Sequence, residues 1–521
     1  MTLRQYARTA APPLRLRDRL KRRLFGLAPS IRRKAIVAAD IDAQKTPVLQ
    51  PGKNCWRIAS SRRAAVIVDA GQYFRHLEQA LLAAKRSIMI VGWDFDANIR
   101  LCPDRESPKL GEFLRTLVER ESELEIKVLV WSFSVVHAPS APLPALLGAA
   151  WQEHPRIKVE LDTHHPFYAA HHQKIVAIDD SVAFVGGIDL TVDRWDSTRH
   201  DPEDPVRTCD DGSIYPAVHD IQMAVDGEVA RQVARLARER WLDATGESLS
   251  PVDPIQDPWP SELVPDFIDT DIAIARTQPT WVGHRGTHEI ASLTVDMIQS
   301  ARQSIYIEAQ YFAAPFLGKL LSQSLKRPHG PQIVIVMTRA SRSPVEQWVM
   351  GNNRDRLIRR LRKADRFDRL RVYYPVVPKG CDDCDVLIHS KCLIVDDQLL
   401  RIGSANLNNR SMGLDTECDL VIEGSTAQAR RTIARIREQL LAEHLGIAED
   451  MAGPAFASAS SLIAAVDRLN HHKRGLRPFD IPESGPTHPV FATPILDPSR
   501  PFWPMWLHRR KRTKAVDPLS S

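Results

Sequence analysis

Two segments of the 521-residue chain carry the same reactive side chains at the same spacing. HHQKIVAIDDSVAFVGGIDL, from 171 to 190, contains His172, Lys174 and Asp179; IHSKCLIVDDQLLRIGSANL, from 388 to 407, contains His389, Lys391 and Asp396. In a strand, a histidine and a lysine two residues apart project from one face. An imidazole with a pKa of about 6.5 is largely neutral at neutral pH and can attack phosphorus, while a second, protonated one can hand its proton to a departing alkoxide. If the two faces meet, two imidazoles and two ammoniums surround one anion, which equips the site to break a phosphodiester through a phosphohistidine. At this level the two histidines are interchangeable.

The neighbouring residues fill the remaining roles. Lys174 and Lys391 would stabilise charge on the non-bridging oxygens, with Gly186, Gly187 and Asp189 after the first motif and Ser404 and Asn406 after the second expected to line the substrate. A carboxylate on the far imidazole nitrogen would hold the tautomer and support the cation. The repeat nominates Asp220 and Glu417 for this. Asp179 and Asp396 lie five residues past each lysine at a strand end and are expected to brace the turn, with a direct part in the chemistry as the alternative. Lysine in the motif would repel a cation, so neither metal nor cofactor is expected. His164, His165 and His171, outside the repeat, read as structural.

The repeat also defines the elements that must position these groups. AKRSIMIVGWDF (84–95) lies over ARQSIYIEAQYF (301–312) with five identities in twelve, at the same offset of 217 that relates the two motifs. HDIQMAVDGE (219–228) matches TECDLVIEGS (416–425) at an offset of 197, so the first half carries about 20 extra residues, loop-like in composition, within 199–217. Each half reads as a helix (73–85, 290–302), a strand (87–91, 304–308), a second strand (126–131, 333–338), two buried strands joined at paired aspartates (174–178 and 182–185; 391–395 and 399–402) and an amphipathic helix (229–242, 427–444). This alternation predicts an α/β fold of two pseudo-twofold-related sandwich lobes, one sheet per half, with the active site at their interface. The expected divisions are a basic arm (1–58), a first lobe (59–248), a Pro-rich linker (249–266), a second lobe (267–446), and a helix with a Pro-rich tail (447–521) in which eight prolines from Pro478 to Pro504 leave no packed element.

Composition narrows the class further. Hydrophobic residues at 43% and charged residues at 26% suit a globular protein, and no apolar run nears the roughly 18 residues needed to span a bilayer. The net charge of +6 is concentrated at the ends: residues 1–40 hold eleven Lys or Arg against two Asp, and PFWPMWLHRRKRTK (501–514) sets aromatics beside bases. Both ends suit an anionic membrane surface, so a monomer in the cytoplasm, peripherally associated with membranes, is expected, with non-classical secretion as the alternative. The rest of the chain is slightly acidic, which argues against nucleic acid as partner. Seven scattered cysteines form no disulfide framework, and the lone CxxC of Cys381 and Cys384 lacks a second pair for zinc.

The duplicated segments resemble the HKD motifs of the phospholipase D superfamily. The resemblance covers most of 71–446: GGIDLTVDRWDSTRH is similar to the segment after the first motif of plant and animal phospholipases D, IEAQYF to their IENQYF with Ala309 in place of Asn, and SANLNNRSMGLDTE to the end of their second motif. It implies a phospholipid substrate cleaved to phosphatidic acid and free headgroup, with transphosphatidylation as a companion reaction. It also implies that His172 is the nucleophile supported by Glu417, and His389 the acid supported by Asp220. Cardiolipin synthase-like phosphatidyl transfer and nuclease activity are the alternatives within the same superfamily.

Overall fold

The computed structural model describes residues 47–131, 149–166, 169–209, 212–280, 285–339, 347–486, 488 and 493–498. The basic stretch 1–46 and the aromatic, basic segment 501–514 lie outside the described residues, so the expectations about them rest on sequence alone. Among the described residues no helix is long and apolar enough to cross a membrane.

The first half is built from β1 (Arg57–Val68), β2 (Ser87–Gly92), β3 (Glu125–Trp131), β4 (Ile157–Asp162), β5 (Ile175–Ile178), β6 (Val182–Gly186), β7 (Val218–His219) and β8 (Ile221–Asp226). The second uses β9 (Phe267–Gln278), β10 (Thr287–His288), β11 (Ser304–Ala309), β12 (Gln332–Met337), β13 (Leu370–Lys379), β14 (Asp382–Asp385), β15 (Leu387–Ile388), β16 (Lys391–Val395), β17 (Leu399–Gly403), β18 (Glu417–Glu423) and β19 (Gly475–Pro478). Hydrogen bonding runs β4-β3-β2-β5-β6-β8-β1 in the first half. In the second it runs β13-β12-β11-β16-β17-β18-β9, the same order. Where a sheet per half was expected, β1 and β9 pair antiparallel with each other, from Arg57↔Ile274 to Ala64↔Phe267, and join the halves into one continuous sheet. These two strands, each of 12 residues, outrun the partners in their own halves, and the exposed length has only the other half to pair with.

Strand alternation sorts the core. In β2, β5 and β6 the side chains of Ile88, Ile90, Val176, Ile178 and Phe184 pack with helix Ala70–Ala83 and helix Leu110–Arg120. The opposite-facing Met89, Val91, Ala177, Ala183 and Val185 pack with helix Gly227–Thr245. Those residues share one cluster with Tyr306, Val334, Ile394 and Leu420 of the second half and with Ile433, Ile436 and Leu440 of helix Ala427–Leu445, so the main core is common to both halves. Both helices stop at a glycine in the left-handed region, Gly246 (φ 76°) and Gly446 (φ 67°), where a Cβ would be strained.

The reading of the tail as devoid of packed elements is corrected. β19 pairs with β13, Phe479 and Ile481 are buried, and the turn Thr493–Leu496 is held by Asn353 and by Asp497, which accepts from Asn409 and Arg410. Pro478 ends β19 and Pro494 stands in the first turn of Thr493–Leu496, positions that tolerate a missing N–H.

Candidate active site

Each histidine motif is laid against the other half of the chain. The backbone N–H of His172 donates to Thr416 O (2.9 Å), and that of His389 donates to His219 O (2.8 Å). β15 runs parallel to β7, and His171 bridges Thr416 in the same sense. The segment leading to each histidine is therefore fixed beside the residue that precedes the opposite half's carboxylate. His172 Nδ1 lies 2.9 Å from Glu417 Oε2, and His389 Nδ1 lies 2.6 Å from Asp220 Oδ2. The pairing is crossed: each imidazole belongs to one half and its carboxylate to the other.

Gly187 makes room for the second of these pairs. A Cβ there would stand 2.1 Å from Asp220 Oδ1, so any side chain would displace the carboxylate. The backbone N–H of Gly187 is already donated to Ile221 O (3.1 Å), and Gly186 is held in the β6–β8 ladder. Their expected role as substrate-binding amides is thus corrected: the glycines provide close approach. The position equivalent to Gly187 in the second half is Ser404, whose hydroxyl donates to Glu417 Oε2 (2.5 Å). Ser404 holds a carboxylate and is not turned to substrate.

Lys174 Nζ lies 3.1 Å from Asp189 Oδ2, and Asp189 Oδ1 also accepts from Trp93 N (2.9 Å). Asp189, expected to line the substrate, instead fixes a lysine. Its equivalent, Asn406, is only 3% exposed. Lys391 Nζ contacts Gln310 Oε1 (3.2 Å), His389 Nδ1 (3.2 Å) and, more closely, His389 O. Asp179 and Asp396 are not brought to the site. Each sits at φ near 50° in a tight turn and accepts three backbone N–H groups at the start of β2 or β11, at 2.7 to 2.9 Å: Lys85, Arg86 and Ser87 in one half, Arg302, Gln303 and Ser304 in the other. They brace the fold, and a direct part in the chemistry is excluded by these contacts.

Charge couples the two motifs. Burial, then Lys174, then Lys391 from the other half, holds the His172 imidazole well below its ordinary value, although 17% of the side chain is open to approach. Burial pushes Glu417 up to about 7. Burial also raises Asp220, against the opposing pull of Lys391, and it lowers Lys391, to which the like charge of Lys174 adds. Four groups from both ends of the repeat thus share one field, the arrangement that suits a bound dianionic transition state.

Two residues were missed in the sequence. Gln310 follows Ala309, the departure from IENQYF, and it was passed over with that segment. Arg194, within RWDST, is 9% exposed, and its charge reaches both Asp220 and Lys391. Its place in the duplicated alignment holds no cation, so the repeat gave no signal for it.

A fold of two like halves with paired histidines and lysines at their junction defines a duplicated phosphodiester-cleaving class. Comparison with known proteins agrees with that class. The family described as Phospholipase D matches residues 80–318, and the one described as Cardiolipin synthase, PLD-like domain, matches residues 294–440. Phospholipase D1 of Saccharomyces cerevisiae is 24% identical over 74% of this chain and 29% of its own. Phospholipase D A of Dictyostelium discoideum is 24% identical over 73% of this chain and 35% of its own. The chain therefore spans about a third of the length of these relatives. Phosphatidylserine synthase of Haemophilus influenzae superposes with a TM-score of 0.53 at 13% identity, covering 74% of this chain and 87% of that one, which is a likeness of fold. The chain belongs to the phospholipase D superfamily.

Proposed function

We propose that the protein hydrolyses glycerophospholipids to phosphatidic acid and a headgroup alcohol, with His172 as nucleophile and His389 as acid. The observation that carries this reading is the crossed pairing of His172 with Glu417 and His389 with Asp220 beside two lysines. Nε2 of neutral His172 attacks phosphorus, forming the N–P bond as the P–O bond to the headgroup breaks. The alkoxide takes the proton from Nε2 of His389, whose cation Asp220 supports. Water then attacks phosphorus, gives its proton to His389, and the N–P bond breaks to regenerate His172. Lys174 and Lys391 neutralise the non-bridging oxygens, and Asn406 is suited to donate to one of them.

An alcohol can replace water in the second step. The match of 294–440 to the cardiolipin synthase-like family favours this phosphatidyl transfer as the second reading. We assign the basic and aromatic ends to an anionic membrane surface, which places the enzyme peripherally on its substrate. Incubating the purified protein with phosphatidylcholine vesicles and butanol tests the proposal: phosphatidic acid and phosphatidylbutanol are expected, and both are lost in His172→Asn. Neither product from the wild type, or cleavage of single-stranded DNA in their place, would overturn it.

A further inference from the structure

Behind the His389–Asp220 pair lies a buried group of ionisable side chains that the reaction above does not use. His219 Nδ1 is 2.8 Å from Glu443 Oε1 and its Nε2 is 2.9 Å from Glu308 Oε2. His200 Nδ1 is 2.9 Å from Asp196 Oδ2 and its Nε2 is 2.9 Å from the same Glu443 oxygen. A neutral imidazole donates from one nitrogen only, so carboxylates at both nitrogens make His219 and His200 cations. Glu308 further accepts from Ser390 Oγ (2.6 Å) and Tyr306 OH (2.6 Å), with His444 Nε2 at 3.1 Å. Asp69 stands 3.3 Å from His219 Nδ1. Ligand atoms around a tetrahedral zinc lie about 3.3 Å apart, whereas the Glu443 oxygen is 2.8 and 2.9 Å from its two imidazoles; those are hydrogen-bond lengths, and the group reads as a charged network.

The network grips the strands that carry the catalytic pair. His219 O receives the backbone N–H of His389, Ser390 lies between His389 and Lys391, and Asp69 exchanges hydrogen bonds with the backbone of Asp220 (Asp69 N to Asp220 O at 2.8 Å, Asp220 N to Asp69 Oδ1 at 3.3 Å). The repeat supplies no such grip to His172. The places of His219, Ser390 and Glu308 are taken there by Thr416, Gln173 and Val91, and that of Asp69, opposite Asp220, by Thr277, opposite Glu417. His200 and its neighbour Arg207 come from the insertion after the first motif, which the second half lacks.

We propose that His219 and Glu308, bonded directly to each other and anchored by Glu443 and Ser390 respectively, are positioning residues that hold His389 and Asp220 at the leaving-group oxygen and leave His172 untouched. This rests on the phosphatidic acid-forming reading above. A misplaced acid slows expulsion of an alkoxide, which needs a proton, and slows activation of water, but it does not slow expulsion of a phenolate stable enough to leave unprotonated.

Phosphatidylcholine and phosphatidyl-p-nitrophenol share the phosphatidyl group and differ in that demand. For His219→Gln and Glu308→Gln we expect kcat on phosphatidylcholine to fall about 10- to 100-fold at unchanged KM, while the p-nitrophenolate burst, which reports phosphorylation of His172, stays within about threefold. Ser390→Ala removes one tether without unbalancing charge and should show the same split at about 3- to 10-fold, so the test stands even where the other variants fold poorly. Equal losses on both lipids, or folded variants with no loss, overturn the positioning role alone. A wild type inert toward both lipids overturns the parent reading and this inference with it.

Discussion

The two halves of the active site are copies whose surroundings differ. Around His172 the groups that touch the supporting Glu417 are neutral, Ser404 on its carboxylate and Gln173 on its carbonyl, while the charges nearby lie in separate pairs: Lys174 with Asp189, donating also to His172 O, and Arg410 with Asp415, which accepts from Ala170 N. Around His389 they are charged, with two imidazoliums among Asp69, Asp196, Glu308 and Glu443. A nucleophile must be neutral and able to swing onto phosphorus, whereas an acid must keep its proton and hold its distance. The difference teaches that the repeat carries the reactive groups in both halves, whereas one insertion and a few exchanges behind one motif give the proposed acid a charged setting that the proposed nucleophile lacks.

The comparison breaks most decisively at the imidazoles. His172→Asn should lower turnover by about 10⁴-fold or more and abolish the phosphoenzyme, seen by mass spectrometry of trapped protein; His389→Asn should lose the alkyl ester but keep a phenolate burst. If both variants lose the burst, the halves are not differentiated. The crossed carboxylates come next: Asp220→Asn is expected to cost about 10²- to 10³-fold, and Glu417→Gln less, because Ser404 still orients the side chain. Gly187→Ala should cost about 10- to 100-fold by displacing Asp220, whereas Ser404→Gly in the equivalent place should cost only a few-fold, both read as kcat.

Acidity sharpens the comparison further. Glu417, pushed up to about 7 by burial, must be ionised to hold the Nδ1 proton of His172; once protonated it favours the wrong tautomer. The phosphorylation rate should therefore climb with pH through about 7, and Glu417→Gln should flatten that limb. The sign for stability is opposite. A carboxyl that binds its proton more tightly folded than unfolded makes stability fall as pH rises from the ordinary carboxylate range toward 7, and the Gln variant should lose this slope in urea titrations. The smallest effect on activity belongs to Asp179→Asn and Asp396→Asn: kcat of the folded protein within about twofold, with about 1–3 kcal/mol of stability lost as backbone donors go unpaired.

Much of this was legible before the coordinates. The spacing of His172, Lys174 and Asp179 recurred with intact flanks, so β5, β6, β16 and β17 and the turns at paired aspartates fell within a residue or so of their positions, and a repeat at two offsets located Asp220, Glu417 and the insertion. What resisted was anything decided by three-dimensional crowding. The demand for Gly187 depends on where the Asp220 carboxylate comes to rest, and the demand for Asp189 on which lysine it meets. β1 is half polar in sequence, RIASSRRAAVIV, because part of its length lies along β9 near solvent, which hid the strand that joins the halves. The network of Asp69, His200, His219, Glu308 and Glu443 draws on widely separated segments with no shared spacing.

The crossed carboxylates carry a consequence for how such a molecule could arise and be taken apart. A solitary half owns an imidazole without its acid partner, so an unduplicated ancestor would have worked only as two associated copies, its activity rising with the square of concentration at high dilution. Joining the halves in one chain makes that encounter intramolecular and constant, and lets each copy carry changes the other does not share. Cutting the present chain between 249 and 266 and mixing the fragments would return it to that older dependence on dose.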